Sequence, residues 1–191
     1  ASEVEVVIVA TVTPDMFFPA TACLVQDKLS AKGAWGFDLS AACSGFPYAL
    51  QVGAKLVESG MHKKVMVIGA DVMSSIIDYT DRATCVIFGD GAGGVLLEAG
   101  DKPHFLAGQL FTDGQYHDVI MMPNRQTVHA AHIPAEYEGS FYMGERKVIN
   151  KALRDNLEMG VEALLHTAGI TRDDIDVAFV HQPSKPLFEE A

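Results

Sequence analysis

The sequence predicts an α/β protein built around buried parallel strands. Glu3 to Thr13 reads EVEVVIVATVT, a run rich in β-branched residues that is typical of a strand covered on both faces. A short strand at Phe37–Leu39, a helical pattern from Ser44 to Ser59 and a second apolar strand from Val65 to Ala70 then follow one another. This is the order of a right-handed βαβ unit, in which a helix crosses over the sheet between two parallel strands.

The composition fits a globular protein and excludes several other classes. Of the 191 residues, 49% are hydrophobic and 20% are charged, which excludes a disordered chain, and 17 Gly with 8 Pro exclude a collagen. A membrane-spanning helix needs about 18 consecutive apolar residues, and no apolar run in this sequence is that long, so we expect no membrane segment. The net charge of −11 argues against nucleic acid and anionic membranes as partners. Three cysteines, an odd number without a signal peptide, favour reduced thiols and a cytoplasmic location.

Prolines and glycines divide the first part of the chain. Pro14 and Pro19 enclose an apolar turn that contains two consecutive phenylalanines. The Ala-rich segment from Ala20 to Leu29 is typical of a short helix, which we expect to end before Gly33. Gly60 fits the C-terminal end of the helix that spans Ser44–Ser59.

Four further elements are expected in the rest of the chain. They are strands at Cys85–Phe88 and Gly93–Glu98 with a turn at residues 89–92 between them, a long helix at Arg146–Gly169 and a last strand at Ile175–Val180. With these strands the sheet has at least four members. Residues 100–139 show little periodicity and connect the elements, with one or two short strands. The last strand would place His181 at its C-terminal end, where α/β sheets usually carry their working residues.

Cys43 is the first candidate for chemistry, because it follows a short strand and immediately precedes a helix. At a helix N-terminus, unpaired N–H groups and the positive end of the helix dipole stabilise a thiolate. We therefore expect the pKa of Cys43 to lie below its usual value of about 8.5. The alternative is an inert core thiol, the usual state of a single cysteine. For Cys23, in an apolar helix, and Cys85, in an apolar strand, the sequence favours that alternative.

Two segments carry a resemblance to a known family. Residues Ser40–Leu50 (SAACSGFPYAL) and Phe88–Gly93 (FGDGAG) resemble the nucleophile segment and the glycine-rich turn of the β-ketoacyl-acyl-carrier-protein synthase III group of the thiolase-like superfamily, and Thr80–Arg82 also fits. The similarity runs along nearly the whole chain but covers only the middle of the family's sequence. The family's first strand and most of its C-terminal half, including the segment with its catalytic asparagine, have no counterpart here.

The resemblance implies an architecture as well as a family. It implies a thiolase-like α/β fold with layers in the order α/β/α/β/α, incomplete at both ends. Residues 1–125 would form the N-terminal thiolase-like half without its first elements. Residues 126–191 would form the connecting region and the start of the C-terminal half.

The reaction implied by the resemblance is a decarboxylating Claisen condensation of an acyl-CoA with malonyl-acyl carrier protein, as in the initiation of fatty-acid synthesis. Cys43 would attack the acyl thioester and hold the acyl group as an enzyme thioester. His181 would donate a hydrogen bond to the malonyl thioester oxygen while CO2 leaves. Coenzyme A would enter as the substrate thioester, and no further cofactor and no metal are expected. Taken alone, His181 fits a metal ligand or a surface imidazole at least as well.

Two more residues match positions at which the family binds its substrate. Phe18 matches a residue at the dimer interface that helps to close the acyl pocket of the neighbouring subunit, so a homodimer is expected. A core aromatic is the alternative, but an exposed phenylalanine at a turn between two prolines needs a partner to cover it. Arg82 matches a residue that touches the nucleotide end of coenzyme A, although a salt bridge to Asp81 is an equally good interpretation.

A basic stripe on the long predicted helix contrasts with the negative net charge. It consists of Arg146, Lys147, Lys151 and Arg154, of which three share one face. The family docks acidic acyl carrier proteins with basic residues near this helix, and such a stripe would attract an acidic partner. Charge spacing alone favours a solvated face paired with Asp155 and Glu158.

Departures from the family's pattern leave the reaction partners open. Pro183 and Ser184 replace the family's Ala-Asn after His181-Gln182, and Glu145 replaces an expected Asn. A synthase III-like condensing enzyme of secondary metabolism therefore fits as well as the fatty-acid initiation enzyme. Other thiolase-like synthases, of the 3-hydroxy-3-methylglutaryl or chalcone type, are rivals within the enzyme class. A non-catalytic fragment or subunit that needs the missing C-terminal part is the alternative outside it.

Overall fold

The computed structural model describes residues 1–102, 104–122 and 141–182. The chain divides into two compact units, one made of Ala1–Ser75 with Gly89–Leu106 and the other of Ile76–Phe88 with Ala107–Ala191. Its strands are β1 (Val6–Ala10), β2 (Trp35–Leu39), β3 (Lys64–Asp71), β4 (Gly91–Glu98), β5 (Ile120–Met121) and β6 (Tyr142–Met143). Its α-helices are α1 (Thr21–Lys28), α2 (Gly45–Glu58) and α3 (Arg146–Ala168). The predicted domain boundary after residue 125 lies outside the described residues.

A four-stranded sheet in the order β2-β1-β3-β4 forms the centre of the first unit. Strand β1 is parallel to both neighbours, and all five of its residues are buried. The strand expected from the β-branched run at 3–13 is therefore confirmed. The parallel pairing of β2, β1 and β3, with α2 connecting β2 to β3, also confirms the predicted βαβ order.

Each face of β1 packs into a different core, because successive side chains of a strand point to opposite sides. Val6 and Ile8 belong to a cluster with Ala49 of α2 and Val67 of β3. Val7 and Val9 belong to a second cluster that includes Ala22 of α1. Helices α1 and α2 thus cover opposite faces of the sheet, and the first unit has three layers, α/β/α.

Asp38 of β2 ties α1 to the sheet. Its carboxylate oxygens accept hydrogen bonds from the backbone N–H groups of Thr21, at 2.7 Å, and Ala22, at 2.8 Å. These donors are at the first positions of α1, where no partner exists within the helix. A carboxylate from a neighbouring strand therefore caps the helix, since its own N-cap residue, Ala20, has no side chain able to do so.

The hairpin predicted at residues 85–98 is wrong. Cys85–Phe88 forms no strand, because residues 82–87 fold into turns in which the Cys85 N–H bonds to the Asp81 carbonyl at 3.0 Å. The Asp81 carboxylate accepts from the Ala83 N–H and the Thr84 hydroxyl, a local arrangement that favours a turn over an extended strand. The second predicted strand is confirmed as β4, which pairs with β3 in the antiparallel direction along its whole length.

The second unit contains α3 and a short antiparallel ribbon of β5 and β6. Helix α3 ends at Gly169, whose φ of 69° is the left-handed C-terminal conformation that glycine adopts without strain, so the predicted end is confirmed. Of the apolar stripe predicted on α3, Leu165 is buried, whereas Val148, Leu157 and Leu164 are exposed. Among the described residues, no helix is long and apolar enough to cross a membrane.

The strand predicted at Ile175–Val180 is wrong in this structure. The segment follows a 3-10 turn at Arg172–Asp174 and runs on without strand pairing in the described part of the chain. Val177 is 65% exposed and Phe179 is 97% exposed. A strand requires a neighbour for its backbone groups, and an apolar sequence alone does not provide one.

Candidate active site

Cys43 lies in the turn that joins β2 to α2, as the sequence predicts. It occupies the middle of a 3-10 turn at Ala42–Ser44, directly before the first residue of α2. Ala42 has a φ of 46°, a left-handed conformation that costs roughly 1–2 kcal/mol for a residue with a Cβ atom. Strain of this kind persists where the surrounding structure enforces it, and it often marks a functional turn. The backbone thus presents Cys43 at a sharp corner.

Close packing beneath this corner fixes the start of α2. A Cβ atom added to Gly45 would lie 3.3 Å from the Cβ of Ala10, at the end of β1. A Cβ atom added to Gly69, on β3, would lie 3.2 Å from the Phe46 ring. The first turn of α2 therefore rests on the carboxyl-terminal ends of β1 and β3, which is the edge where α/β sheets usually place their sites.

The predicted lowering of the Cys43 pKa is wrong. Burial raises the pKa of the Cys43 thiol above its ordinary value, and the negative charge of Asp71 raises it further, while a bond from its own backbone N–H acts in the opposite direction. Although the residue as a whole is exposed, enough protein surrounds the sulfur to penalise the charged form. Desolvation outweighs the stabilisation that the helix N-terminus was expected to supply.

A polar network that was not predicted from the sequence lies at the same edge of the sheet. Oδ1 of Asp71, the last residue of β3, accepts hydrogen bonds from the Thr11 hydroxyl at 3.2 Å, the Val12 N–H at 2.8 Å and the Thr13 hydroxyl at 3.2 Å. The signal that could have found it is a pair of threonines directly after one buried strand and an aspartate directly after another. Because the carboxyl ends of parallel strands meet at one edge of a sheet, the sequence already indicates that these side chains lie close together.

Asp90, in the glycine-rich segment, anchors the start of β4. Its carboxylate accepts from the Ser74 N–H at 2.8 Å and the Ser74 hydroxyl at 2.6 Å. The Ser74 hydroxyl, followed by the Ser74 N–H, holds the pKa of the Asp90 carboxyl below its ordinary value. The segment after β3 is thereby fixed to the residue preceding β4.

His181 belongs to the second compact unit and is exposed, whereas Cys43 belongs to the first. The strand that was expected to deliver His181 is absent, as described above. The pairing of His181 with Cys43 stays a prediction. Among the residues that the structure describes, no three His, Cys, Asp or Glu side chains form a group that could hold a metal ion.

The two predicted substrate-binding residues are both exposed. Phe18 is 85% exposed and its neighbour Phe17 is 67% exposed, in the turn between the two prolines. This agrees with an aromatic side chain that a partner could cover and excludes a core position for Phe18 in this structure. Arg82 is exposed in the turns at 82–87.

The four basic residues lie at the start of α3. Lys147 is exposed, and the Arg146 side chain lies outside the described part of the chain. The Lys151 ammonium pairs with the Asp155 carboxylate, which raises the pKa of Lys151. Arg154 is exposed as well. The Lys151–Asp155 pair agrees with the alternative in which this helix face is solvated and its charges pair with one another. Docking of a carrier protein by these basic residues stays a prediction.

The other two cysteines differ from the core position predicted for them. Cys23 is exposed on α1, so the prediction is wrong there, and Cys85 is partly buried in a turn. All three cysteines are free thiols. The exposed Cys23 provides a natural reference thiol for experiments on Cys43.

Comparisons with known proteins show what this chain resembles. A family profile described as 3-oxoacyl-[acyl-carrier-protein (ACP)] synthase III matches residues 37–114, the stretch that contains Cys43. The beta-ketoacyl-[acyl-carrier-protein] synthase III of Chlorobium chlorochromatii (strain CaD3) is 47% identical over 99% of this chain and 59% of its own length. The chain spans between 57 and 59% of the length of the first curated relatives it matches.

Solved structures show the same fold. The 3-oxoacyl-[acyl-carrier-protein] synthase III of Aquifex aeolicus VF5 is 36% identical, with a TM-score of 0.79 over 91% of this chain and 52% of that one. The priming beta-ketosynthase of the R1128 polyketide biosynthetic pathway is 31% identical, with a TM-score of 0.77 over 91% of this chain and 52% of that one. These neighbours confirm the predicted thiolase-like α/β fold. Over the stretch that it spans, this chain is similar in sequence and in fold to the β-ketoacyl-acyl-carrier-protein synthase III family.

Proposed function

We propose that this chain carries the acyl-accepting part of a decarboxylating condensing enzyme. In the first step Cys43 displaces coenzyme A from an acyl-CoA: a bond forms between the Cys43 sulfur and the acyl carbon, the bond from that carbon to the CoA sulfur breaks, and the thiol proton ends on coenzyme A. In the second step a malonyl thioester on acyl carrier protein loses CO2. The resulting enolate carbon forms a bond to the acyl carbon on Cys43, and the bond from that carbon to the Cys43 sulfur breaks. The products are CO2, a 3-oxoacyl thioester on the carrier protein and the Cys43 thiolate, which takes a proton from water to regenerate the thiol.

One observation carries the proposal: Cys43 sits at a strained strand-to-helix corner inside the stretch that the family profile matches. A thiol at such a corner has small neighbours, and an incoming carbonyl oxygen would meet the backbone N–H groups of the first helical turn. Burial raises the pKa of Cys43, which disfavours a preformed thiolate.

The remaining roles belong to the proposal as well. His181 would stabilise the enolate by hydrogen bonding to the malonyl thioester oxygen. Arg82 would contact the nucleotide end of coenzyme A. The basic residues at the start of α3 would attract an acidic acyl carrier protein, and Phe18 would close the acyl pocket of a second subunit in a homodimer. The coenzyme A thioester would be a substrate, with no additional cofactor.

Two alternatives use the same site differently. The similarity to a priming ketosynthase of a polyketide pathway favours a role in secondary metabolism, with another acyl group or malonyl donor. The second alternative is a chain that does not catalyse by itself, because it spans little more than half the length of its relatives. The two differ in whether the chain alone takes up an acyl group.

The test is acyl capture, measured by mass spectrometry of the intact 191-residue chain after incubation with acetyl-CoA and longer acyl-CoAs. We expect a single acyl adduct on Cys43, and we expect Cys43→Ser to abolish it. Cys23→Ser, which removes an exposed thiol of the same unit, is the matched control and should retain the adduct. An unmodified wild-type chain, or an adduct that survives Cys43→Ser, would contradict the proposal. Addition of malonyl-acyl carrier protein then shows whether the adduct is consumed with release of CO2.

A further inference from the structure

We propose that Asp71 is a positioning residue of the Cys43 site: its carboxylate clamps the ends of β1 and β3 beneath the Cys43 turn and places a negative charge near that turn. The inference deepens the function proposed above, since it concerns the state from which Cys43 would accept an acyl group. Asp71 does not belong to the sequence motif around Cys43 and lies 28 positions further along the chain.

The clamp is a closed ring of hydrogen bonds. Three donors from consecutive residues, Thr11, Val12 and Thr13, converge on one oxygen of Asp71. The Thr13 hydroxyl in turn accepts from the N–H of Val72 at 2.7 Å, and the Thr11 hydroxyl accepts from the N–H of Thr13 at 3.1 Å. Each hydroxyl therefore both donates and accepts, so its orientation is fixed. The ring joins the segment that follows β1 to the end of β3.

The clamp adjoins the surface on which the Cys43 turn rests. Ala10 and Gly69, which contact the first turn of α2, lie one and two residues from Thr11 and Asp71 respectively. The Thr11 N–H also donates to the carbonyl of Leu39 at 3.1 Å, and Leu39 is the last residue of β2 before the Cys43 turn. The ends of β1, β2 and β3 are thus connected at one place, and Asp71 is the charged group at that place.

The negative charge of Asp71 also disfavours the thiolate form of Cys43. After burial of the sulfur, the Asp71 carboxylate is the other contribution that raises the pKa of the Cys43 thiol. A like charge nearby disfavours the anionic form of a titratable group. The Asp71 charge therefore suppresses the thiolate in the resting protein, and with it the reaction of Cys43 with adventitious electrophiles. A neutral thiol can still accept an acyl group from coenzyme A, because the thiol proton ends on the departing coenzyme A sulfur.

The test is the pH profile of alkylation of Cys43 by iodoacetamide in the variant Asp71→Asn. Asparagine keeps the size of the side chain and an Oδ1 acceptor for the three donors, but removes the charge. We expect the midpoint of the profile to fall by about 0.3–1 pH unit, which corresponds to an about two- to tenfold faster reaction at neutral pH. Peptide mass spectrometry resolves the site of alkylation, and the rate at Cys23 in the same digest should not change.

A matched variant separates the charge from the hydrogen bonds. Thr13→Val removes one donor to Asp71 and the acceptor of the Val72 N–H but retains the carboxylate. It should therefore lower the melting temperature by about 2–4 °C and leave the Cys43 midpoint in place. If Asp71→Asn does not fold, Asp71→Ser, which is neutral and still forms hydrogen bonds, takes its place with the same expectation. The proposal is wrong if the charge-neutral variant keeps the wild-type midpoint, or if Cys23 shifts by the same amount. Alkylation involves no acyl transfer, so this result is independent of the acyl-capture experiment.

Discussion

Two apolar runs of the chain, Val6–Ala10 and Ile175–Val180, look alike in sequence and differ completely in structure. Both are rich in Val and Ile, and both were expected to be strands. The first is an inner strand of the four-stranded sheet, with every residue buried. The second forms no strand, and its Phe179 is almost fully exposed.

The difference lies in their neighbours. Val6–Ala10 has a parallel partner on each side, so its backbone N–H and C=O groups are paired, and helices cover both faces. Residues 175–180 have no strand partner in the part of the chain that the structure describes. Strand β4 is the converse case. It is mostly exposed, yet it is a strand, because it pairs with β3 over eight residues. Pairing decides whether an apolar run is a strand, and burial follows from what covers it.

The largest effect is expected from shortening one side chain in each run. Ile8→Ala should lower the free energy of unfolding of the first unit by about 2–5 kcal/mol, because Ile8 is fully buried and its removal leaves a cavity. Phe179→Ala should change stability by less than about 0.5 kcal/mol, since the side chain has almost no contacts to lose.

Urea denaturation measures both changes. The single tryptophan, Trp35, lies on the strand beside β1 and reports on the first unit, and circular dichroism reports on the helices of both units. A Phe179→Ala variant that loses as much stability as Ile8→Ala would contradict the comparison, because it would show that the two runs are packed alike.

A smaller effect is expected from crowding the contact between β1 and its partner. A Cβ atom added to Gly36 would lie 2.5 Å from the Val7 carbonyl oxygen and 3.1 Å from the Ala22 Cβ, so Gly36→Ala forces the backbone to move. We expect a loss of about 1–3 kcal/mol in the same urea experiment. Gly33→Ala is the control, because nothing lies within 4 Å of its added Cβ and stability should be unchanged or slightly higher. Equal effects of the two substitutions would mean that the close packing around Gly36 does not contribute to the stability of the first unit.

The smallest effect concerns the exposed strand β4 and depends on pH. Ser74 holds the pKa of the Asp90 carboxyl below its ordinary value of 3.8, so the interaction stabilises the folded state above that pH. Its contribution is lost as the pH falls through the lowered pKa, where the folded carboxylate becomes protonated. We therefore expect Ser74→Ala to flatten the decline of the urea midpoint below about pH 4.

Ser75→Ala is the matched control for this pH series. The Ser75 hydroxyl donates to the Val72 carbonyl at 2.6 Å and to no carboxylate that the described structure shows, so its removal should leave the slope with pH unchanged. Parallel curves for wild type and Ser74→Ala would show that the hydrogen bond from the Ser74 hydroxyl to Asp90 does not contribute to the acid sensitivity of the sheet.

The candidate site was predictable in its placement and not in its electrostatics. The strand, the small residues and the helix around Cys43 follow from local composition, so its position at the corner could be derived from the sequence. The direction of its pKa change could not, since that depends on how much protein surrounds the sulfur and on Asp71, a residue distant in sequence. Asp81 likewise turned an apolar segment at 85–88 into turns through hydrogen bonds that no periodicity reveals.

The sequence by itself determined the order of the elements in the first unit, the end of α3 at Gly169 and the corner that presents Cys43, because these depend on side-chain periodicity and on residues adjacent in the chain. Only the tertiary structure decided which apolar runs became strands, which face of the sheet each helix covers and which charge stands next to the thiol. These depend on backbone partners, desolvation and Coulomb interactions between segments that are far apart in the chain, and such contacts exist only in the folded state.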